Sequence, residues 1–469
     1  MRAQCLALAA LTLIPVASRG ALRPAPLTRA PSTGEVRLPP IRHATLDNGL
    51  RIVLMAHHRA PVLELIAVAA GGSSQDPPGK AGTASLTAEL LRRGTTMRDA
   101  VQLADEIDSL GGSLDGAGGP DSVRVAVSGL AKDADRWLDL LADVVRNPTF
   151  PADELDRERR LRLDALRALP EDPAALAERA ATRVVFNGHP YGILETEASL
   201  NAITRDDLAA YHRAYIAPQN LAIVAVGDFS TDAMLAKLRD RFADWPRGAA
   251  PRAAAPPVPE GRRRIVIVDK PDAEQTHLRF VRPGIARTSA RLPAARVASA
   301  ALGGGFTSRL VQEVRVRRSL TYGVWSAVQP RRTSGDVEIG TFTKVPTARQ
   351  TADVVAATAA RAARSGLTAA ELRKVQGYLT GLFAIEAQTP AALAARLADA
   401  ATHGLPDAEV IRYIAHVRSV TLTEANRAAR DLFNPRGMSL VFVGPAEKLR
   451  GQVAGLGKVE DWSVEDVLH

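Results

Sequence analysis

The sequence predicts a duplicated α+β fold, and three observations carry that reading. Four separated marks recur at one spacing: Asp172–Arg179 matches Thr389–Arg396, Ile203-Thr204 matches Val420-Thr421, Pro218 matches Pro435 and Gly227 matches Gly444, each pair 217 positions apart. A constant offset over four marks is the signature of an internal repeat, although alanine-rich composition flatters the first match. Residues 246–262 are rich in Pro and Ala, as expected of a stiff, extended tether between two units. Apolar runs of strand length mostly meet other such runs or bracket long helical patterns, so each unit is expected to be one sheet with helices packed on one side. Two units on a tether create a cleft, the default place for a ligand.

Taken in order, residues 1–18 read as a secretory signal: Arg2, an apolar run from Cys5 to Val16, then small residues. Residues 19–37 are a Pro- and Arg-rich lead-in. The first unit spans 38–245. Asn48-Gly49 turns into a strand at Arg51, Val62–Ala70 is a second strand, and Thr83–Arg93 has the spacing of an apolar-faced helix. Helical patterns follow at Met97–Leu110, Asp133–Val145, Ala152–Leu169, Pro173–Val185 and Arg205–Tyr215, with a last strand at Leu221–Val226. The second unit, 263–455, repeats this plan, and 456–469 reads as a tail.

Composition narrows the function classes. Sixty Lys and Arg against 51 Asp and Glu leave a net charge of +9 in 469 residues, with 4% aromatics. No basic-aromatic interleaving or nucleic-acid motif accompanies that charge, so no nucleic-acid partner is expected. Beyond the leader, no stretch offers the roughly 20 apolar residues of a membrane span, and a soluble periplasmic or otherwise secreted protein is expected. The one cysteine, Cys5, lies in the leader, which leaves the mature chain without a thiolate ligand, a cysteine nucleophile or a disulfide. Nine histidines include no i, i+4 pair, and there is no Gly-x-Ser-x-Gly elbow, P-loop or dinucleotide fingerprint. No catalytic residue and no cofactor are assigned to this chain.

The most informative stretch is Gly303–Trp325. A glycine turn leads into a short helix from about Ser308, with Leu310, Val311 and Val314 as its apolar residues, and then into a strand expected to carry Tyr322. Arg315 and Tyr322 are thereby poised to donate hydrogen bonds to one carbonyl. They would form a clamp, since neither is a general base at neutral pH. On local sequence alone an ordinary surface arginine and a half-buried tyrosine are the favoured reading of this pair.

Two motifs carry a resemblance. Gly82-Thr83-Ala84-Ser85-Leu86-Thr87-Ala88-Glu89, with Gly94-Thr95, and the segment around Ser308-Arg309-Leu310, Arg315, Leu320 and Tyr322 are similar to the M16 family of inverzincin peptidases, the group of insulysin, pitrilysin and the mitochondrial processing peptidase. The chain resembles most the short, two-domain bacterial members, over roughly residues 38–455. The resemblance implies two units with antiparallel-rich sheets forming half of a clam-shell. It also implies a departure. Where the family has its first histidine, catalytic glutamate, second histidine and third ligand, this chain has Ser85, Ala88, Glu89 and Ala165, so no metal is expected here. The second half departs less, with Ser319 in place of a usual glycine, and the resemblance gives Arg315 and Tyr322 a substrate-binding role near the scissile bond. It implies a non-catalytic subunit whose partner, a related chain with an intact His-x-x-Glu-His, brings Zn²⁺, and whose substrate is a peptide that adds as a strand near 113–117 or 335–344. The alternative is a peptide-binding or assembly subunit without peptidase activity.

Overall fold

The four repeat marks turn out to be the punctuation of the fold. Asp172 and Thr389 cap the helices Pro173–Val185 and Pro390–His403. Thr204 and Thr421 form capping boxes at Arg205–Tyr215 and Leu422–Leu432. Pro218 and Pro435 begin one-turn 3₁₀ helices that lead into strands. Side-chain oxygens of Asp and Thr accept the first free N–H groups of a helix, which is why these residues survive at matching positions in both halves.

The computed structural model describes residues 36–248, 256–258 and 261–469. The leader, nearly all of the lead-in, and residues 249–255 and 259–260 of the tether lie outside the described residues. Residues 37–469 form one compact unit containing two six-stranded sheets. The first holds β1 (Arg42–Thr45), β2 (Arg51–Ala56), β3 (Val62–Ala70), β4 (Ser113–Gly118), β5 (Ser122–Leu130) and β6 (Leu221–Gly227), in the order β1-β2-β6-β3-β5-β4. The second holds β7 (Ile265–Asp269), β8 (Gln275–Pro283), β9 (Val324–Gln329), β10 (Asp336–Lys344), β11 (Ser439–Gly444) and β12 (Val459–Trp462), in the order β12-β7-β11-β8-β10-β9. Five strands correspond one to one. Only the sixth differs: β1 joins β2 antiparallel, whereas β12 joins β7 parallel. Most pairings are antiparallel; β2 with β6 and β7 with β11 are parallel.

The expectation of helices on one side of each sheet holds for all but one packing helix of each half, and that one helix covers the opposite face of the other half's sheet. Helix Pro173–Val185, from the first half, packs on β8 and β11 of the second. Its Leu176, Ala180 and Val184 share a core with Val266, Val268, Val441 and Val443. Helix Pro390–His403, from the second half, packs on β3 and β6 of the first. The halves therefore exchange helices. β6 is buried along its whole length because both pleat faces are covered. The segment expected as a tail is also part of the fold, since Val459–Trp462 completes the second sheet and helix Val464–Leu468 packs against Pro173–Val185.

Where the halves meet, the turns after β4 and β9 touch. Asp121 accepts hydrogen bonds from the Tyr191 hydroxyl at 2.5 Å and the Arg332 backbone N–H at 2.8 Å. The exchanged helix ends at His403, whose Nδ1 lies 3.3 Å from Asp399 and whose Nε2 lies 3.7 Å from Asp121, the latter a charge attraction beyond hydrogen-bonding range. Burial opposes a charge on His403, but the two carboxylates outweigh it and raise its pKa to about 9.

Candidate functional site

In the first half, helix Thr83–Leu90 starts at Gly82, which takes a left-handed conformation with φ of 106°. The Asp76 carboxylate accepts the N–H groups of Gly82 and Ala84, both at 2.8 Å. Burial pushes Asp76 up to about 7 despite those donors. Edge strand β4 lies close across this helix, and Gly116 is what permits it: a Cβ there would stand 1.9 Å from the Ala88 carbonyl oxygen. Ala88 is fully buried, Ser85 and Glu89 are partly exposed, and Ala165 lies exposed on helix Ala152–Ala168.

A network of ion pairs joins the two helices. Glu89 accepts hydrogen bonds from Arg92 and, at 3.0 Å, from Arg93; Arg93 also donates to Glu158 at 2.9 Å. Glu158 is buried on helix Ala152–Ala168, so Arg93 neutralises a carboxylate that would otherwise stand unpaired in the interior. These residues do not suit a zinc ion, which needs three or four converging N, O or S donors. Glu89 is already engaged, Ser85, Ala88 and Ala165 bring no imidazole or carboxylate, and among the described residues no three His, Cys, Asp or Glu side chains converge. The Arg93–Glu158 pair was not singled out in the sequence; the i, i+4 spacing of Glu89 and Arg93 was its one local signal.

The second half presents a different surface. Gly303 is required by close packing, since a Cβ there would lie 2.3 Å from the Ser326 backbone nitrogen. The expected helix from Ser308 is present and continues as a π-helical turn, Val311–Val316, with Leu310, Val311 and Val314 buried. It closes at Ser319, whose φ of 51° is left-handed. This is where the resemblance has a glycine, and the conformation still asks for one. Tyr322 does not sit on the strand, as expected, but two residues before β9 begins.

The structure brings Arg315 and Tyr322 together. The guanidinium carbon lies 4.5 Å from the Tyr322 ring centroid and 5.3 Å from that of Phe306. Tyr322 is 77% exposed and Phe306 74%. Two aromatic faces thus hold the cation through their π electrons, and among the described residues no carboxylate lies within ion-pair distance of it. The nearby Glu313 is occupied by Arg317 and Arg318. Arg309 is spent differently, in a two-pronged pair with Glu371 at 2.7 Å that holds this carboxyl down to about 2. Arg309 anchors the loop to helix Ala369–Glu386, whereas Arg315 keeps its N–H donors for an incoming acceptor. Phe306 was missed in the sequence, where an aromatic after a glycine turn carried no pattern of its own.

Of the two segments proposed for strand addition, β4 is an edge strand lying against helix Thr83–Leu90. The second is corrected: Asp336–Lys344 is β10, paired along its length by β8 and from Asp336 to Thr341 by β9, so most of its hydrogen bonds are spent and the edge strand of the sheet is β9.

Comparison with known proteins agrees with this fold. The family model described as insulinase (peptidase family M16) matches residues 51–195, and that described as peptidase M16 inactive domain matches 202–379. A protein described as an uncharacterized zinc protease from Mycobacterium tuberculosis is 30% identical over 423 residues, 87% of this chain and 94% of that protein. The chain belongs to peptidase family M16. Among solved M16 structures, the inactive domain from Pseudomonas fluorescens superposes with a TM-score of 0.81 at 27% identity, covering 87% of this chain and 98% of that one. The periplasmic protease PqqL from Escherichia coli superposes with a TM-score of 0.73 at 16% identity, over 88% of this chain but 48% of PqqL. This M16 chain therefore spans about half the length of PqqL. No helix among its described residues is long and apolar enough to cross a membrane.

Proposed function

We propose that this chain is the non-catalytic, substrate-clamping subunit of a two-chain zinc metalloendopeptidase acting on peptides or unfolded segments, in the periplasm or outside the cell. The single observation that carries the reading is the state of Arg315: a guanidinium held by ring faces, with donors unspent, beside an exposed Tyr322. An extended peptide offers a row of backbone carbonyls, the acceptor such a fork requires. In the first half Glu89 is engaged by Arg92 and Arg93, and Ser85, Ala88 and Ala165 at the other positions of the motif bring no imidazole or carboxylate, so the zinc and the base are assigned to a related partner chain. The 48% coverage of PqqL supports a working unit with room for a second chain of this length.

In this reading the peptide adds to the open edge of β4, and Arg315 and Tyr322 hold a backbone carbonyl in a water-poor chamber. Donors directed at a carbonyl on which negative charge develops contribute about 2–4 kcal/mol. The test is reconstitution with the partner chain, recovered by co-purification. Cleavage of an unfolded peptide is expected only in the mixture, with kcat/KM falling about 100-fold for Arg315→Ala. Partner activity unchanged by adding this chain would reject the reading in favour of an assembly role without peptidase activity.

A further inference from the structure

A cavity of about 460 Å³ lies in the second half, bounded by helices Leu292–Gly303, Pro390–His403 and Tyr413–Ser419, and shares no residue with the Arg315 site. Its charged lining is sorted into pairs with one exception. Arg287 donates to Asp399 at 2.9 Å and stands 3.3 Å from Glu409. Arg396 donates to Glu386 and lies over the Phe383 and Tyr413 rings at 4.8 and 4.9 Å. All three carboxylates of the lining are thereby engaged.

Arg296 is the exception. Among the described residues it makes no hydrogen bond and no ion pair, although burial and the neighbouring Arg287 both press its pKa down. The Tyr413 hydroxyl likewise has no partner among the described residues; its ring is fixed by stacking on Phe383 at 4.7 Å. A partly buried cation without an acceptor is costly, and a guanidinium beside a phenol is a donor set suited to an oxyanion. The three arginines balance the three carboxylates, and behind Asp399 the charge of His403 is matched by Asp121. Pro330, Ala392, Ala395 and Val410 make the remaining wall apolar.

We propose that this cavity is a carboxylate-binding site, in which Arg296 and Tyr413 receive the carboxylate of a small organic acid or of a peptide C-terminus and the apolar wall takes the attached hydrocarbon. Calorimetric titration of the full chain with N-acetylphenylalanine, its amide and inorganic phosphate tests it. The acid is expected to bind at least about tenfold more tightly than the amide, which lacks the charge, and to lose at least about tenfold in Arg296→Met. Tyr413→Phe is expected to weaken binding several-fold, and it keeps the test decisive should Arg296→Met fold poorly. Wild-type melting by Arg296→Met verifies that the loss is local. Equal affinity for acid and amide, no binding of the acid, phosphate binding without the acid, or full affinity in Arg296→Met would each overturn the assignment.

Discussion

The two long helices Ala152–Ala168 and Ala369–Glu386 occupy equivalent places, 217 positions apart, and differ residue by residue in what they offer. Buried Glu158 in the first corresponds to buried Val375 in the second, Arg160 to Gly377, Asp164 to Gly381 and Ala165 to exposed Leu382. The first helix is charged and closes on its neighbour through Arg93. The second needs no ion pair inside and shows an apolar face beside the loop carrying Phe306 and Arg315. Duplication preserved the backbone while the halves parted in chemistry, one sealing its wall and the other leaving donors unspent.

Removing one arginine from each wall would break this comparison most sharply. Arg315→Ala is expected to leave the melting temperature nearly unchanged while cutting reconstituted kcat/KM about 100-fold. Arg93→Ala is expected to do the reverse in kind, costing about 3 kcal/mol by stranding the Glu158 carboxylate in the interior, measured by urea unfolding. Equal loss of stability in both variants would erase the distinction.

The junction gives the next effect. His403 titrates in the folded chain at about 9, above its ordinary 6.5, so its stabilisation is complete below about pH 6.5 and lost as pH rises through about 9. Thermal melts from pH 6 to 9.5 should decline by on the order of 2 kcal/mol, and His403→Gln should flatten the profile. Smaller still, Ser319→Gly should stabilise by about 0.5–1 kcal/mol, because glycine adopts the left-handed φ of 51° without a Cβ penalty. A lower melting temperature would show that the Ser319 side chain contributes more than its backbone costs.

Much of this was legible in the sequence because it rests on local rules. The threonines, prolines and glycines at one constant offset announced the repeat, whereas Arg315 and Tyr322 were singled out by the resemblance and not by local spacing alone. The exchanged helices were not legible. Pro173–Val185 has an amphipathic pattern, but periodicity says which face is buried and not which sheet buries it. The same limit hid Arg93 with Glu158, which lie 65 positions apart. It also hid Phe306, whose role depends on a guanidinium folding back across a loop.

The helix exchange also sets an order of events during synthesis. β6 ends at Gly227, whereas the helix that covers its outer face begins only at Pro390. An emerging first half therefore waits with one apolar sheet face bare until the second half has been translated past Pro390–His403. Such a chain cannot mature domain by domain, and its newborn form is the one that calls for a chaperone's protection.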